Sequence, residues 1–121
     1  MCSAPQVRSP LARAAFAVAI LVSLVVLFTP ASGVPTAPPG TDKLVHVAVF
    51  TALAGTGRWA GAGTARLAAA LVLYAAGSEL IQGLSPLARS ASLADWIADA
   101  AGILLGLALW AFLARRRRPA R

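Results

Sequence analysis

Four long apolar runs, separated by short breaks, fill most of this chain and restrict it to a bundle of membrane helices. The runs lie at about residues 12–30, 44–60, 67–84 and 93–113. Each is close to the ~20 residues that a helix needs to cross a hydrocarbon core. In lipid, backbone polar groups must be satisfied within the chain, so such segments are helical. The sequence predicts an all-α, polytopic membrane protein with four transmembrane helices, one domain over residues 1–121 and a basic tail at 114–121.

The composition agrees with this class. Hydrophobic residues make up 59% of the chain and charged residues only 12%, with a mean hydropathy of +0.76, whereas soluble domains carry about 25% charged residues. The net charge of +7 would suit nucleic acid only on a soluble basic face. Here the arginines lie between and after the apolar runs, so the expected partner is the lipid bilayer. The single cysteine, Cys2, excludes a disulfide within one chain.

The placement of basic residues predicts the orientation. With the N-terminus inside, nine of the eleven Lys and Arg residues are cytoplasmic, and only Lys43 and Arg89 face outward. This agrees with the excess of basic residues found in cytoplasmic loops. Both termini are then cytoplasmic, and four spans provide the even number of crossings that this requires.

The first run has a second interpretation. Arg8 and Arg13, the apolar core that follows them and the small residues at 31–33 also resemble a secretory signal peptide. Its cleavage would leave three spans in the same orientation. We favour a retained span, because three helices form a thin bundle and Pro30, followed by further prolines, is typical of a loop.

Polar residues are concentrated at one end of the predicted bundle. All four carboxylates, the only Lys and the only His fall at the start of the second and fourth spans or at the end of the third. Since the helices alternate in direction, these positions share the outer side. Charged groups within membrane segments are costly and commonly mark functional sites. The predicted outer binding pocket comprises Asp42, Lys43, His46, Glu79, Gln82, Arg89, Asp95 and Asp99.

Each of these residues also has a structural interpretation. Asp42 can cap the second helix, and Ser92 with Asp95 reads as a capping pair at the start of the fourth. A lone His inside a helix, such as His46, is more often a hydrogen-bonded packing residue than a ligand. Glu79 lies roughly 7–8 Å below the outer end of its helix, where it is as well suited to hold helices together as to act in a site.

The last span has two acids one turn apart. Asp95 and Asp99 are spaced i, i+4, and like charges at this spacing repel. Arg89, Lys43 or His46 must offset the repulsion, or one acid is protonated.

A row of small residues continues along the same helix. Ala98, Gly102 and Gly106 recur at every fourth position. Such rows allow helix backbones to approach closely. The row predicts helix packing, either within one chain or between two copies.

The outer cluster could bind a cation, transfer a proton or hold the helices together. His and carboxylates are normal metal ligands, but the sequence has no HExxH or other diagnostic spacing, so we expect no metal and no other cofactor. No Ser–His–Asp set and no phosphate-binding glycine loop is recognisable. Glu79, Asp95 and His46 are the candidate catalytic residues if the chain is an enzyme.

In this order and with these gaps, the polar residues resemble the VanZ-like family of small bacterial membrane proteins. The motifs are Asp-Lys-x-x-His at 42–46, Glu-x-x-Gln at 79–82, then Arg89, Asp95 and a helix with glycines at 102 and 106. The resemblance covers residues 12–113. One departure is Asp99, where the family often has Asn. An added acid changes the charge of the pocket and puts in doubt any hydrogen bond donated by an amide there.

The resemblance implies a multi-pass protein of the bacterial cytoplasmic membrane and cell envelope. The founding member is linked to teicoplanin resistance, so it implies an effect on glycopeptide susceptibility. The ligand would be a cell-wall precursor, a lipid-linked envelope component or a glycopeptide. No reaction is established for the family as a whole, so we favour a role without catalysis. Two alternatives stay open, namely a membrane enzyme acting on an envelope substrate and a structural subunit whose polar residues join the helices.

Overall fold

The computed structural model describes residues 9–28, 41–84 and 93–116, and within those ranges it contains four α-helices and no strand. The all-α prediction with four helices is confirmed. The helices are α1 (Pro10–Phe28), α2 (Thr41–Trp59), α3 (Thr64–Leu84) and α4 (Leu93–Arg116). The side chains of residues 41, 42 and 82–84 are not among those described.

Three of the four helices, α1, α3 and α4, are long and apolar enough to cross a membrane. Only 17%, 28% and 22% of their apolar windows, respectively, are buried inside the bundle. Large apolar side chains cover the outer faces, among them Val25, Leu73 and Leu104, which are each at least two-thirds exposed. Apolar surface of this extent is suited to contact with lipid.

The remaining helix, α2, is not among the three, because Lys43, His46 and Arg58 lower its apolar content. The prediction that it is a fourth crossing therefore stays a prediction. Within the described part of the chain, α2 and α3 each contact all three other helices, whereas α1 and α4 do not touch each other. The most extensive contact is that between α2, the most polar helix, and α4.

Contacts between the helices establish their directions. Phe16, near the start of α1, lies beside Gly57, near the end of α2. Glu79, near the end of α3, faces His46, near the start of α2. Gly102 and Gly106 of α4 lie against Val47 and Thr51 of α2, respectively. Successive helices therefore alternate in direction, and α2 and α4 run parallel to each other.

The backbones of α2 and α4 are in direct contact. A Cβ atom on Gly102 would lie 2.5 Å from the Val47 carbonyl oxygen, and one on Gly106 would lie 2.5 Å from the Thr51 carbonyl oxygen. Ala98, one turn before Gly102, is also buried. The Thr51 hydroxyl lies 2.7 Å from the Val47 carbonyl oxygen of its own helix and 3.2 Å from that of Gly102. The row of small residues thus forms an interface within this chain.

The apolar core lies along the other sides of α2. Phe50 and Leu53 pack with side chains of α1, α3 and α4, and the Phe50 ring lies 5.8 Å from that of Tyr74. The Tyr74 hydroxyl lies 2.8 Å from the Ser23 hydroxyl. Because Ser23 donates its one proton to the Ile20 carbonyl oxygen, Tyr74 donates to Ser23. This bond joins α1 to α3 inside the bundle.

A tight turn joins α2 to α3. Gly61 has a φ of 100°, which is the left-handed region where glycine is favoured. The Arg58 guanidinium donates a hydrogen bond of 2.6 Å to the Ala62 carbonyl oxygen, so it satisfies one of the carbonyls beyond the helix end. The turn brings Leu67 of α3 against Gly57 of α2, which fixes the two helices side by side.

We expect Gly106→Ala to lower the free energy of unfolding by about 1–3 kcal/mol, because the added methyl group meets backbone atoms that cannot move aside alone. The matched control is Gly77→Ala in α3, where an added Cβ meets nothing within 4 Å. That change should be neutral or stabilising by at most about 1 kcal/mol. Unfolding in detergent, followed by circular dichroism, measures both; equal effects would contradict the close contact of α2 with α4.

Candidate functional site

Three buried polar side chains from three helices meet near one end of the bundle. They are His46 of α2, Glu79 of α3 and Asp99 of α4, which are 1%, 5% and 0% exposed, respectively. We refer to these three residues as the inner cluster. Each lies on the helix face that also supplies core contacts, so none can turn towards lipid or water without disturbing the packing.

The shortest contact of the inner cluster joins α2 to α4. His46 Nδ1 lies 2.6 Å from Asp99 Oδ1. With the carboxylate ionised, the Nδ1–H group donates and the carboxylate accepts. Asp99 lies one turn before Gly102, so it shares the face of α4 that touches α2. The close backbone contact therefore brings these two side chains within reach.

Glu79 completes the cluster from α3. Its Oε1 atom lies 3.9 Å from His46 Nδ1, which is an ion-pair distance rather than a hydrogen bond. The neighbouring Ser78 is also buried, but its hydroxyl donates to the Ala75 carbonyl oxygen of its own helix. Of these two adjacent polar side chains, Glu79 is thus the one that reaches across to α2.

A second ion pair lies one helical turn further towards the end of the bundle. Lys43 Nζ lies 3.3 Å from Asp95 Oδ1, and the side chain of Lys43 is 46% exposed whereas that of Asp95 is 14% exposed. We call Lys43 and Asp95 the rim pair. The Lys43–Asp95 and His46–Asp99 pairs join α2 to α4 at nearly the same offset along the chain, as parallel helices require. The two acids of α4 thus have different basic partners, which offsets the repulsion expected between them.

Three residues of the predicted pocket are not placed by these contacts. Arg89 lies outside the described residues, as does Ser92, the predicted capping residue. The backbones of Asp42 and Gln82 are helical, but their side chains lie outside the description. The site that the structure brings together therefore consists of His46, Glu79 and Asp99 with the rim pair.

Two atoms of the inner cluster have unused bonding capacity. His46 Nε2 and Asp99 Oδ2 are buried, and neither has a hydrogen-bond partner among the described residues. A buried polar group without a partner costs about 1–3 kcal/mol. Such atoms in a folded protein usually indicate a bound water, an ion or a functional role.

A cavity of about 380 Å³ lies elsewhere, between α2 and α4 towards the ends of these helices. It is mainly apolar, and none of the eight residues of the predicted pocket lines it. Its wall includes Thr51, Gly55, Trp59, Gly106 and Trp110. The sequence analysis did not predict this cavity. A tryptophan near the end of each of two parallel helices, with small residues beside it, was a signal for it.

The contact between His46 and Asp99 should be visible in unfolding measurements. We expect His46→Ala and Asp99→Ala each to cost about 3–5 kcal/mol, because each leaves a buried polar partner unpaired. The double variant should cost clearly less than the sum. Lys43→Ala at the exposed rim is the control and should cost at most about 1 kcal/mol. Additive effects of the two buried substitutions, measured in detergent with EDTA present, would contradict the pairing.

Comparison with known proteins assigns no family to the chain. No model of a protein family, no curated protein and no solved structure matches it. The resemblance to the VanZ-like family therefore depends on the residues quoted above, and the chemistry of the site has to be argued from its own side chains.

Proposed function

We propose that this chain is a multi-pass protein of the bacterial cytoplasmic membrane, of the VanZ-like type, whose polar end faces outward and recognises a component of the cell envelope. One observation supports this most. In a bundle with large apolar outer faces, charged side chains from three helices converge at a single end. Polar groups placed this way are retained in membrane proteins mainly where they are used.

The arginines among the described residues support the proposed orientation, in which the polar end of the bundle faces outward. Arg13 and Arg66 lie at the starts of α1 and α3, and Arg58, Arg115 and Arg116 lie at the ends of α2 and α4. All five are therefore at the end of the bundle opposite the inner cluster. The excess of basic residues on cytoplasmic sides makes that end the cytoplasmic one. The cluster then faces outward, and both termini are cytoplasmic.

The length of α2 and its packing against the other helices support its crossing the membrane. Its 19 residues span about 28 Å at 1.5 Å per residue, close to the ~30 Å of a hydrocarbon core. Because α2 contacts all three neighbours and His46 is 1% exposed, its innermost polar side chain does not need to meet lipid directly. Four crossings result.

The rim pair is suited to ligand recognition. Lys43 is nearly half exposed, and its ammonium group can hold an anionic group as a compact point charge. A lipid-linked phosphate or the carboxylate of a cell-wall precursor or glycopeptide fits this chemistry. The inner cluster, one helical turn deeper in the bundle, would not touch the ligand. It would influence the charge and the position of the rim pair.

Recognition is favoured over catalysis by burial. A general acid or base must come within about 3 Å of the proton that it transfers, whereas Glu79 and His46 are almost wholly buried and face each other. The third candidate, Asp95, has a side chain only 14% exposed, and it is paired with Lys43. A structural role is the second candidate, because the ion pairs of the site join α2 to α4 and α2 to α3. Under that alternative the site holds helices together and a partner protein carries the function.

A complementation experiment separates these two functions. A strain lacking the gene is challenged with teicoplanin and other envelope-targeting antibiotics while it expresses either the wild type or Lys43→Gln at equal membrane abundance. Recognition predicts that Lys43→Gln loses protection, since the exposed positive charge is removed at little cost in stability. Arg115→Gln, at the opposite end and beside other arginines, is the matched control and should protect fully.

Full protection by Lys43→Gln would contradict recognition at the rim. If Lys43→Gln and Glu79→Gln cannot be brought to the abundance of the wild type, and protection falls in step with abundance, the structural role is favoured.

A further inference from the structure

We propose that His46, Glu79 and Asp99 form a binding site for one divalent transition-metal ion of the Zn²⁺ or Mn²⁺ type. This inference concerns the inner cluster alone and does not rest on the proposed envelope function. One potential ligand atom from each residue lies within 4.8 Å of the other two, and all three residues are buried. The spacing along the chain shows no metal motif because each ligand comes from a different helix.

The distances suit a small ion with little rearrangement. His46 Nδ1 lies 2.6 Å from Asp99 Oδ1 and 3.9 Å from Glu79 Oε1. A tetrahedral ion with bonds of about 2.0–2.2 Å requires ligand atoms about 3.3–3.6 Å apart. The first distance must widen and the second shorten, each by about 1 Å or less. On binding, the hydrogen held between Nδ1 and Oδ1 leaves to solvent and the ion takes its place.

The donor atoms select the class of metal. One imidazole nitrogen with two carboxylate oxygens is a ligand set used by Zn²⁺, Mn²⁺ and Fe²⁺. Calcium and magnesium prefer oxygen ligands throughout, so the imidazole disfavours them. Three protein ligands leave a fourth coordination position for water or another ligand.

The charge of a dication also matches that of the three ligands. Two ionised carboxylates and a neutral imidazole carry two negative charges, and a divalent ion offsets both. A buried charge is tolerated where it is paired or coordinates a metal.

Unused bonding capacity at the cluster is the independent observation that points to a ligand. Asp99 is 0% exposed, yet its Oδ2 atom has no hydrogen-bond partner among the described residues. An ion bound at Asp99 could take this oxygen as its ligand in place of Oδ1. It would also join α3 to the α2–α4 pair, so metal should stabilise the fold.

The test is direct measurement of bound metal. Full-length protein carrying an affinity tag without histidine is purified in detergent, stripped with EDTA and dialysed against Zn²⁺ or, separately, Mn²⁺. Elemental analysis should find one ion per chain with at least one of these metals, and that metal should raise the melting temperature. Asp99→Asn keeps an oxygen acceptor for His46 but removes the anionic ligand. It should weaken binding by more than the ~10–100-fold typical of outer-shell changes.

Two further variants keep the test decisive. Ser78→Ala removes a buried polar group beside Glu79 that bonds only within its own helix, so it should bind metal like the wild type. If Asp99→Asn unfolds in the absence of metal, Glu79→Gln takes its place and should show the same loss. Substoichiometric metal in the wild type, or full binding by both Asp99→Asn and Glu79→Gln, would overturn the inference. Wild type that binds neither metal but still protects cells would overturn the inference while leaving the envelope function in place.

Discussion

The close approach of α2 and α4 is the constraint on which the rest of this structure depends. Two glycines of α4 lie directly against carbonyl groups of α2, at distances that exclude any side chain. Because the helices run parallel, this contact determines their register over several turns. That register places His46 opposite Asp99 and Lys43 opposite Asp95. The polar site is thus a consequence of a backbone contact that contains no charge.

The apolar outer faces impose the second constraint. The helix with the most polar groups, α2, packs against all three other helices. The three more apolar helices, α1, α3 and α4, present large aliphatic side chains outward. Charge is divided between the two ends, with the acids, Lys43 and His46 at one and the described arginines at the other. Such a division suits a protein whose two ends meet different environments.

Much of this arrangement could be predicted from the sequence, for identifiable reasons. Helices follow from apolar runs, and alternation along the chain brings Asp95 and Glu79 to the same end as His46. The pairing could not be predicted, since Lys43 and His46 were equally plausible partners for either acid of α4. Register decides between them, and register depends on how Gly102 meets Val47. Spacing along one segment likewise cannot reveal a ligand set drawn from three helices.

The most direct test of the account is a measurement of proximity and sidedness in intact cells. Cysteines replace Lys43 and Asp95 in a Cys2→Ser chain, and a short, membrane-impermeant bifunctional thiol reagent is added before intact-mass analysis. A single bridged adduct is expected, whereas the pair Arg58→Cys with Arg115→Cys should react only after permeabilisation. Bridging of the second pair alone in intact cells would contradict the orientation. Failure of positions 43 and 95 to bridge even after permeabilisation would contradict the convergence of charged residues at one end of the bundle.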